Sequence, residues 1–438
     1  MATQPDPAAG MTNRKSNPIR DRKGFELQLP GSFSLCPEQA LENEAVQDLE
    51  KIVLSAAEAL AQYPVVGLIL TGSVARGEGT IVPDRELRSR WLSDIEFQVV
   101  LDENRSVNVG EVDVALSKLQ RTINTEPRNL SRGISVSFTS ILADQIARLR
   151  PAIFSREMLE HGKLVWGRPE RVPVPLWWRE GEDDIPQLDA FRLLCNRIIQ
   201  QLDTRFRWQY IDRNSIHATY ILSKFWIELA TSLSVFIGCY RTSYRERQQA
   251  VEDYLKKDCD ILGTARELFI NRLQRSMLVK AGRANPAPCS ADDFRESAQV
   301  AALVWKFEVQ KMLGQSQPSL DACAPRVIVS ALRRLEPYAQ RTRDWARLLR
   351  RNSIRADFRG DLLSAIRAGS LANAIYASGC LLHFFWDEFT TDSGLGPHLR
   401  RTVQKLLNTT PLEQVDQRLI LSRATVAAWE RHLHFAAR

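Results

Sequence analysis

The sequence predicts two parts in succession, an α/β domain in which helices flank a mixed sheet, then an all-α domain built as a helical bundle. Three observations carry this. Between residues 65 and 167, short apolar, β-branched runs alternate with stretches of helical period. Beyond residue 187 the helical period is almost uninterrupted. Between the two lies RPERVPVPLWWREGEDDIP, Arg168 to Pro186, whose prolines and charges suit a connection better than a packed element. The expected organisation is a disordered polar tail over 1–30, the α/β domain over 31–170, a linker over 171–186 and the helical domain over 187–438.

Taken in order, Leu41, Val46, Leu49, Ile52, Val53, Ala56 and Leu60 recur three and four residues apart, which predicts an amphipathic helix from Cys36 to about Tyr63, ended by Pro64. VVGLILTGS follows as a short strand closing in a Gly-Ser turn. Pro83 to Trp91 is polar and too irregular for a core element. SDIEFQVVLD alternates like a strand with one buried face, and VDVALSKLQRTI has the helical period. ISVSFTSI is again a strand, with Ile134, Val136 and Phe138 on one side. ADQIARLRPAIFSREMLEHG reads as helix broken at Pro151, and KLVWG as a last short strand. In the second domain, helices are predicted over LDAFRLLCNRIIQQLDTRFRW, SIHATYILSKFWIELATSLSVFIGCY, YRERQQAVEDYL and SAQVAALVWKFEVQKML, with more towards the end of the chain. ANPAPCSADD is a loop among them, and no internal repeat of fixed period is found.

Composition narrows the classes of function. With 44% hydrophobic and 25% charged residues, the chain is neither wholly disordered nor of low complexity. A net charge of +7 over 438 residues is a mild bias that leaves polyanionic ligands open without being a nucleic-acid footprint. Seven scattered cysteines without a CxxC pair predict reduced thiols in a cytoplasm and argue against a zinc site. The first 24 residues lack an apolar stretch, so no secretory signal is expected. Ile221 to Tyr240 comes nearest to a membrane span, but Lys224 and Glu228 interrupt it, and a buried helix with no membrane partner is expected.

Chemistry concentrates in the first domain. A strand ends in Gly72-Ser73, the charged segment VARGEGT follows, and the next strand carries Asp94 and Glu96 two residues apart. Residues i and i+2 of a strand share a face, so the two carboxylates project together while Ile95 and Phe97 pack inward. Carboxylates so close repel unless a cation neutralises them, and Mg²⁺ prefers carboxylate, phosphate and water oxygens. The Gly-Ser turn can bring backbone N–H groups and a hydroxyl against phosphate without a Cβ in the way. Each feature alone has a plain structural reading, a solvated strand face or a tight turn.

In this order the motifs resemble the nucleotidyltransferase superfamily that includes DNA polymerase β and the aminoglycoside nucleotidyltransferases. REMLEHGKLVWG extends the resemblance, which covers about Val65 to Gly167. It implies that Gly72 and Ser73 hold the β- and γ-phosphates of an NTP such as ATP. Asp94 and Glu96 would hold two Mg²⁺ ions, and an NMP would pass to a hydroxyl acceptor with release of pyrophosphate. Two departures follow. Ser73 and Asp94 are further apart than is usual in the family, so an insertion around PDRELRSRW is expected to loop out. The third strand, which usually supplies a further carboxylate, reads ISVSF, with Ser135 and Ser137 where the acid would stand. Glu111 and Asp113 are candidate substitutes. Arg76 is a candidate phosphate contact, the alternative being a solvated surface position.

In the helical domain Tyr220 and Lys224 lie one turn apart on a face shared with Glu228 and Thr231. Lys224 resembles the lysine that related two-domain enzymes present to the triphosphate, with Tyr220 beside it; the alternative is a lysine snorkelling to solvent. Glu228 is a candidate base, and YRTSYRER, Tyr240 to Arg247, either closes the cleft or starts a capped helix at Ser243. Two other functions stay open: a degenerate member that binds nucleotide as a regulator, and an RNA-binding or RNA-modifying protein using the arginines between Arg333 and Arg359.

Overall fold

The computed structural model describes residues 26–27, 29, 32–35, 38–83, 88–102, 108–175, 177–178, 184–213, 215–257, 261–284, 286–314, 325–335, 341–342, 368–391, 394–409 and 416–431. The chain opens with β1 (Glu26–Leu27), α1 (Gln39–Ala59), β2 (Val65–Thr71), α2 (Gly72–Ala75), β3 (Ile81–Pro83), β4 (Ser89–Trp91) and β5 (Ile95–Leu101). There follow α3 (Val109–Thr125), α4 (Pro127–Ser131), β6 (Val136–Leu142), α5 (Ala143–Ala147), α6 (Ile153–His161) and β7 (Lys163–Gly167). Five strands form a mixed sheet in the order β1-β7-β2-β5-β6. Only β5 and β6 are parallel, and α3 makes the crossover that a parallel pair requires. The expected α/β arrangement followed by a mostly helical region is therefore what the chain adopts.

Both faces of the central strands are covered, contrary to the single buried face expected for SDIEFQVVLD. On one side Leu68, Leu70, Ile95, Phe97 and Val99 pack with the apolar stripes of α1 and α3. On the other, Val66, Ile69 and Val100 meet Ala143 and Ile146 of α5. Gln98 is buried there because Thr139 satisfies its amide, accepting from Nε2 at 2.9 Å and donating to Oε1 at 2.9 Å. Strands enclosed on two faces read as apolar runs, which weakens alternation as a signal.

Pro83 to Trp91 also departs from expectation. β3 and β4 pair as a short ribbon, and Trp91 is only 1% exposed, while residues 84–87 of the expected insertion lie outside the described residues. Its indole N–H donates to Asp48 of α1 (3.3 Å), which also pairs with the buried Arg132 (2.6 Å). Strands of three residues are too short to show a period. β1 lies within the stretch expected to be tail and pairs with β7.

The helical region comprises α7 (Gln187–Tyr210), α8 (Ile216–Phe236), α9 (Tyr244–Lys257), α10 (Arg266–Lys280) and α11 (Ala291–Leu313), then α12 (Pro325–Leu335), α13 (Leu371–Phe384), α14 (Gly396–Leu407) and α15 (Gln417–Trp429). These share one large core, and α8 runs through its middle, buried along nearly all its length. That position accounts for its apolar composition; among the described residues no helix is long and apolar enough to cross a membrane. Cys195, Cys239, Cys289 and Cys380 are free thiols, while Cys36, Cys259 and Cys323 lie outside the described residues. So does most of the arginine run from Arg333 to Arg359.

Glu308 of α11 is fully buried, and neither carboxyl oxygen has a hydrogen-bond partner. Ser232 is its polar neighbour but donates to the Ala190 carbonyl (2.8 Å). Burial pushes the Glu308 carboxyl up from 4.5 to about 8. With the folded-state value above the unfolded one, the fold binds more protons between the two, so stability falls as pH rises through that window, by up to about 1.4 kcal/mol per unit. Glu308→Gln is therefore expected to raise the unfolding free energy more at pH 8 than at pH 5, the gain widening by about 3 kcal/mol in urea melts. A gain of equal size at both pH values would contradict this assignment.

Candidate functional site

The sheet and the helical region enclose a cleft of about 440 Å³. Its sheet-side wall is the corner where β2 ends and β5 begins. Gly72 adopts φ +69°, a conformation open to glycine, and a Cβ placed on it would come within 2.6 Å of Glu96 Oε2. The Gly-Ser turn therefore lies directly against the carboxylate strand. Thr71 ties the two strands together by donating from Oγ1 to the Glu96 carbonyl (3.2 Å). Asp94 is exposed, Glu96 is half-buried, and both line the cleft with Gly72 and Ser73, while Ile95 and Phe97 are buried behind them. Burial pushes the Glu96 carboxyl above its ordinary value and the neighbouring Asp94 adds to this, against the pull of Lys224.

The opposite wall is helical. Lys224 of α8 lines the cleft, and among the described residues it makes no hydrogen bond or ion pair; the acids that act on it are Glu96 and Glu228. Tyr220 does not line the cleft. It is 2% exposed, and its hydroxyl lies 2.9 Å from Ser93 Oγ. It shares that position with a residue the sequence did not single out. Lys280, the last residue of α10, is 3% exposed and donates from Nζ to Ser73 Oγ (3.2 Å), Ser93 Oγ (2.9 Å) and Tyr220 OH (3.3 Å). Thr80 Oγ1 donates to its carbonyl (3.0 Å). Burial holds the Lys280 ammonium below the usual lysine range although Tyr220 opposes this, and burial of Tyr220 is outweighed by Lys280 and Lys224, so the phenol is lowered too. A lysine at the end of an amphipathic helix ordinarily reads as a favourable charge at a helix C-terminus. Its contact with Ser73 spans 207 residues, and no local pattern announces it.

Arg76 is not the solvated surface residue weighed as its alternative. Its side chain is 2% exposed, paired with Glu78 (3.0 Å) and Glu157, and its guanidinium stacks 4.5 Å from the Tyr244 ring. Arg247, 1% exposed, joins from α9: it donates to Glu157 (2.8 Å), Thr231 Oγ1 (2.6 Å) and the Thr242 carbonyl (3.1 Å). Glu78 in turn accepts from Ser243 Oγ and the Tyr244 backbone N–H, both at 2.8 Å. Of the two readings weighed for the YRTSYRER segment, the helix start is the one seen, and Tyr244 alone of the segment lines the cleft. The segment starts a helix at Ser243, which also accepts from Glu246 N (3.4 Å), and it fastens that helix to the α/β domain.

The substitutes for a third acid lie elsewhere. Glu111 and Asp113 are on α3, where Asn108 Nδ2 donates to Glu111 (2.8 Å) and Ser140 Oγ to Asp113 (2.6 Å); neither lines the cleft. Ser137 stands beside Glu96 in the parallel register, and Ser135 is exposed. Glu228 does line the cleft but is spoken for by Arg197 (3.5 Å) and the Tyr244 hydroxyl (3.2 Å). Its burial raises the carboxyl, but Arg197 and then Lys224 outweigh this and leave it below the ordinary value, the wrong direction for a base.

Among the described residues no three or more His, Cys, Asp or Glu side chains gather as a protein-only metal cage. Asp94 and Glu96 are a donor pair of the kind that holds Mg²⁺ when phosphate oxygens and waters complete the shell. Compared with family models, curated proteins and solved structures, the chain matches none.

Because Arg76 neutralises two buried carboxylates, Arg76→Met is expected to cost about 3–5 kcal/mol of stability in chemical denaturation, as removal of one partner from a buried network does. A loss below about 1 kcal/mol would mark the network as dispensable.

Proposed function

We propose that this chain is a Mg²⁺-dependent nucleotidyltransferase, of the kind represented by DNA polymerase β and the aminoglycoside nucleotidyltransferases, which moves an NMP from an NTP to a hydroxyl acceptor. The observation that carries the reading is the contact of Gly72 with Glu96. It sets a glycine-serine turn and a carboxylate pair at one corner of a cleft whose other wall presents an unpaired lysine. In this reading the Gly72 backbone and Ser73 receive the β- and γ-phosphates. Lys280 occupies a lone pair of Ser73 Oγ, which turns the hydroxyl proton towards the cleft and a phosphate oxygen. Lys224 balances charge on the triphosphate. Asp94 and Glu96 face the Mg²⁺ ions that the nucleotide brings, and such ions stabilise the entering and leaving oxygens of an in-line displacement.

The bond formed joins the acceptor oxygen to the α-phosphorus. The bond broken is the one from that phosphorus to the α–β bridging oxygen. Pyrophosphate leaves, and the hydroxyl proton passes to water. Paired Ser137 and Glu96 favour a second reading, a nucleotide-binding regulator without turnover, since a serine there is no base at neutral pH.

The test is thermal unfolding with each NTP, with and without Mg²⁺, alongside pyrophosphate release. A nucleotide at 100 times its dissociation constant stabilises the fold by about 2.7 kcal/mol. We expect this shift to require Mg²⁺ and to vanish in Asp94→Asn and Glu96→Gln, and Lys224→Ala to weaken nucleotide binding by about 1–3 kcal/mol. A Mg²⁺-dependent shift without pyrophosphate release would select the regulatory reading. No shift with any nucleotide would overturn both.

A further inference from the structure

The half of the cleft beyond the Gly72–Glu96 corner is built from α7, and it has a chemistry of its own. Asp189, Arg192 and Asn196 recur at the three- and four-residue spacing of one helix face, Arg197 follows Asn196, and all four line the cleft. Two of them are committed. Asp189 Oδ2 accepts from the Ile153 backbone N–H at the start of α6 (2.9 Å), and Arg197 pairs with Glu228 (3.5 Å). Arg192 is less committed: among the described residues it makes no hydrogen bond and no ion pair, and the acid that acts on it is Asp189, one turn away.

Asn196 is oriented by two further helices. Its Oδ1 accepts from Trp429 Nε1 of α15 (2.9 Å) and from the Tyr376 hydroxyl of α13 (3.2 Å). An indole N–H is a donor only, so this side of the carboxamide must be the oxygen. Asn196 lines the cleft, and its Nδ2 group has no acceptor among the described residues. Beside these donors the wall is apolar, with Phe154 47% exposed at the rim.

We infer that this half of the cleft is the acceptor subsite, and that the acceptor is a hydroxyl compound carrying an anionic group, phosphate or carboxylate, bound by Arg192 and the Asn196 amide. This inference rests on the nucleotidyltransferase reading and adds the substrate class to it. A polycationic acceptor is disfavoured, because the polar groups of this wall without a partner among the described residues are donors, while Asp189 serves the α6 backbone and Glu157 and Glu228 are paired with arginines.

The test is calorimetry on the full chain saturated with Mg²⁺ and a non-hydrolysable NTP. The probes are adenosine against AMP, glycerol against glycerol 3-phosphate, and glycerol against glycerate. At least one anionic probe is expected to bind about tenfold or more tighter than its neutral partner, the phosphate and carboxylate arms telling which anion is preferred. Arg192→Ala is expected to abolish that preference, and Arg192→Lys to restore part of it, while the NTP dissociation constant stays within about twofold. Equal binding of neutral and anionic probes, or no binding by any anionic probe, would overturn the inference. So would an equal loss of NTP affinity in Arg192→Ala, which would make this wall part of the donor site. Failure of the wild-type chain to bind the Mg²⁺–NTP analogue is a separate result and overturns the nucleotidyltransferase reading itself.

Discussion

Everything about the cleft depends on one buried set of charges, Arg76 and Arg247 held against Glu78 and Glu157. Arg76, Glu78 and Glu157 belong to the α/β domain and Arg247 to α9, so the network is also the weld between the two halves of the molecule. Apolar contact between domains tolerates sliding; charges out of water do not, since a displaced partner leaves its counterpart desolvated and unpaired. The carboxylates are further occupied by Tyr240 on Glu157 and by the helix start at Ser243 and Tyr244 on Glu78. This saturation is the condition under which a buried polar network confers rigidity.

With the halves fixed in this way, the side chains of one can complete the site of the other. Lys280 arrives from the helical region at a serine of the α/β domain, and the Ser93–Tyr220 contact joins it there. A lysine removed from water needs several acceptors, and it finds them in Ser73, Ser93 and Tyr220 without an acid among them. Its amine therefore stands directly behind the Gly-Ser turn with Tyr220, not a carboxylate, as its electrostatic partner. That is an electrostatic bias towards anions at the place where the turn already offers donors.

The strands β2, β6 and β7, the break before α6 and the run of long helices could be read from the sequence, because each carries a period or a breaker within one element. The same holds for Gly72, Ser73, Asp94 and Glu96, whose relation is set by adjacent strands. What could not be read depends on distance along the chain or on short length. β3 and β4 have three residues each, too few for alternation. Lys280 and Tyr220 take their positions from partners far away in sequence. Arg76 was open between a phosphate contact and a solvated position because a charged segment reads the same whether its partners are water or a distant Glu157. Lys224 was legible as part of a polar stripe, but the fate of that stripe was not. Lys224 and Glu228 reach the cleft, while Tyr220 and Thr231 turn away to bond Ser93 and Arg247.

The pairing of charges also gives the cleft a direction. Glu157 is taken by the two buried arginines, Glu228 by Arg197, and Asp189 by the backbone of α6. The charges left unsatisfied are therefore not spread evenly. At one end Asp94 and Glu96 stand together with Lys224 across from them, a setting that needs a cation and tolerates a polyanion. At the other end Arg192 makes no ion pair among the described residues and has Asp189 as the acid that acts on it, beside an amide whose oxygen is held by a tryptophan and a tyrosine. In the reading proposed above, two ligands, one bringing Mg²⁺ and one bringing its own negative group, would satisfy the two ends. That is the arrangement a transfer between two substrates requires.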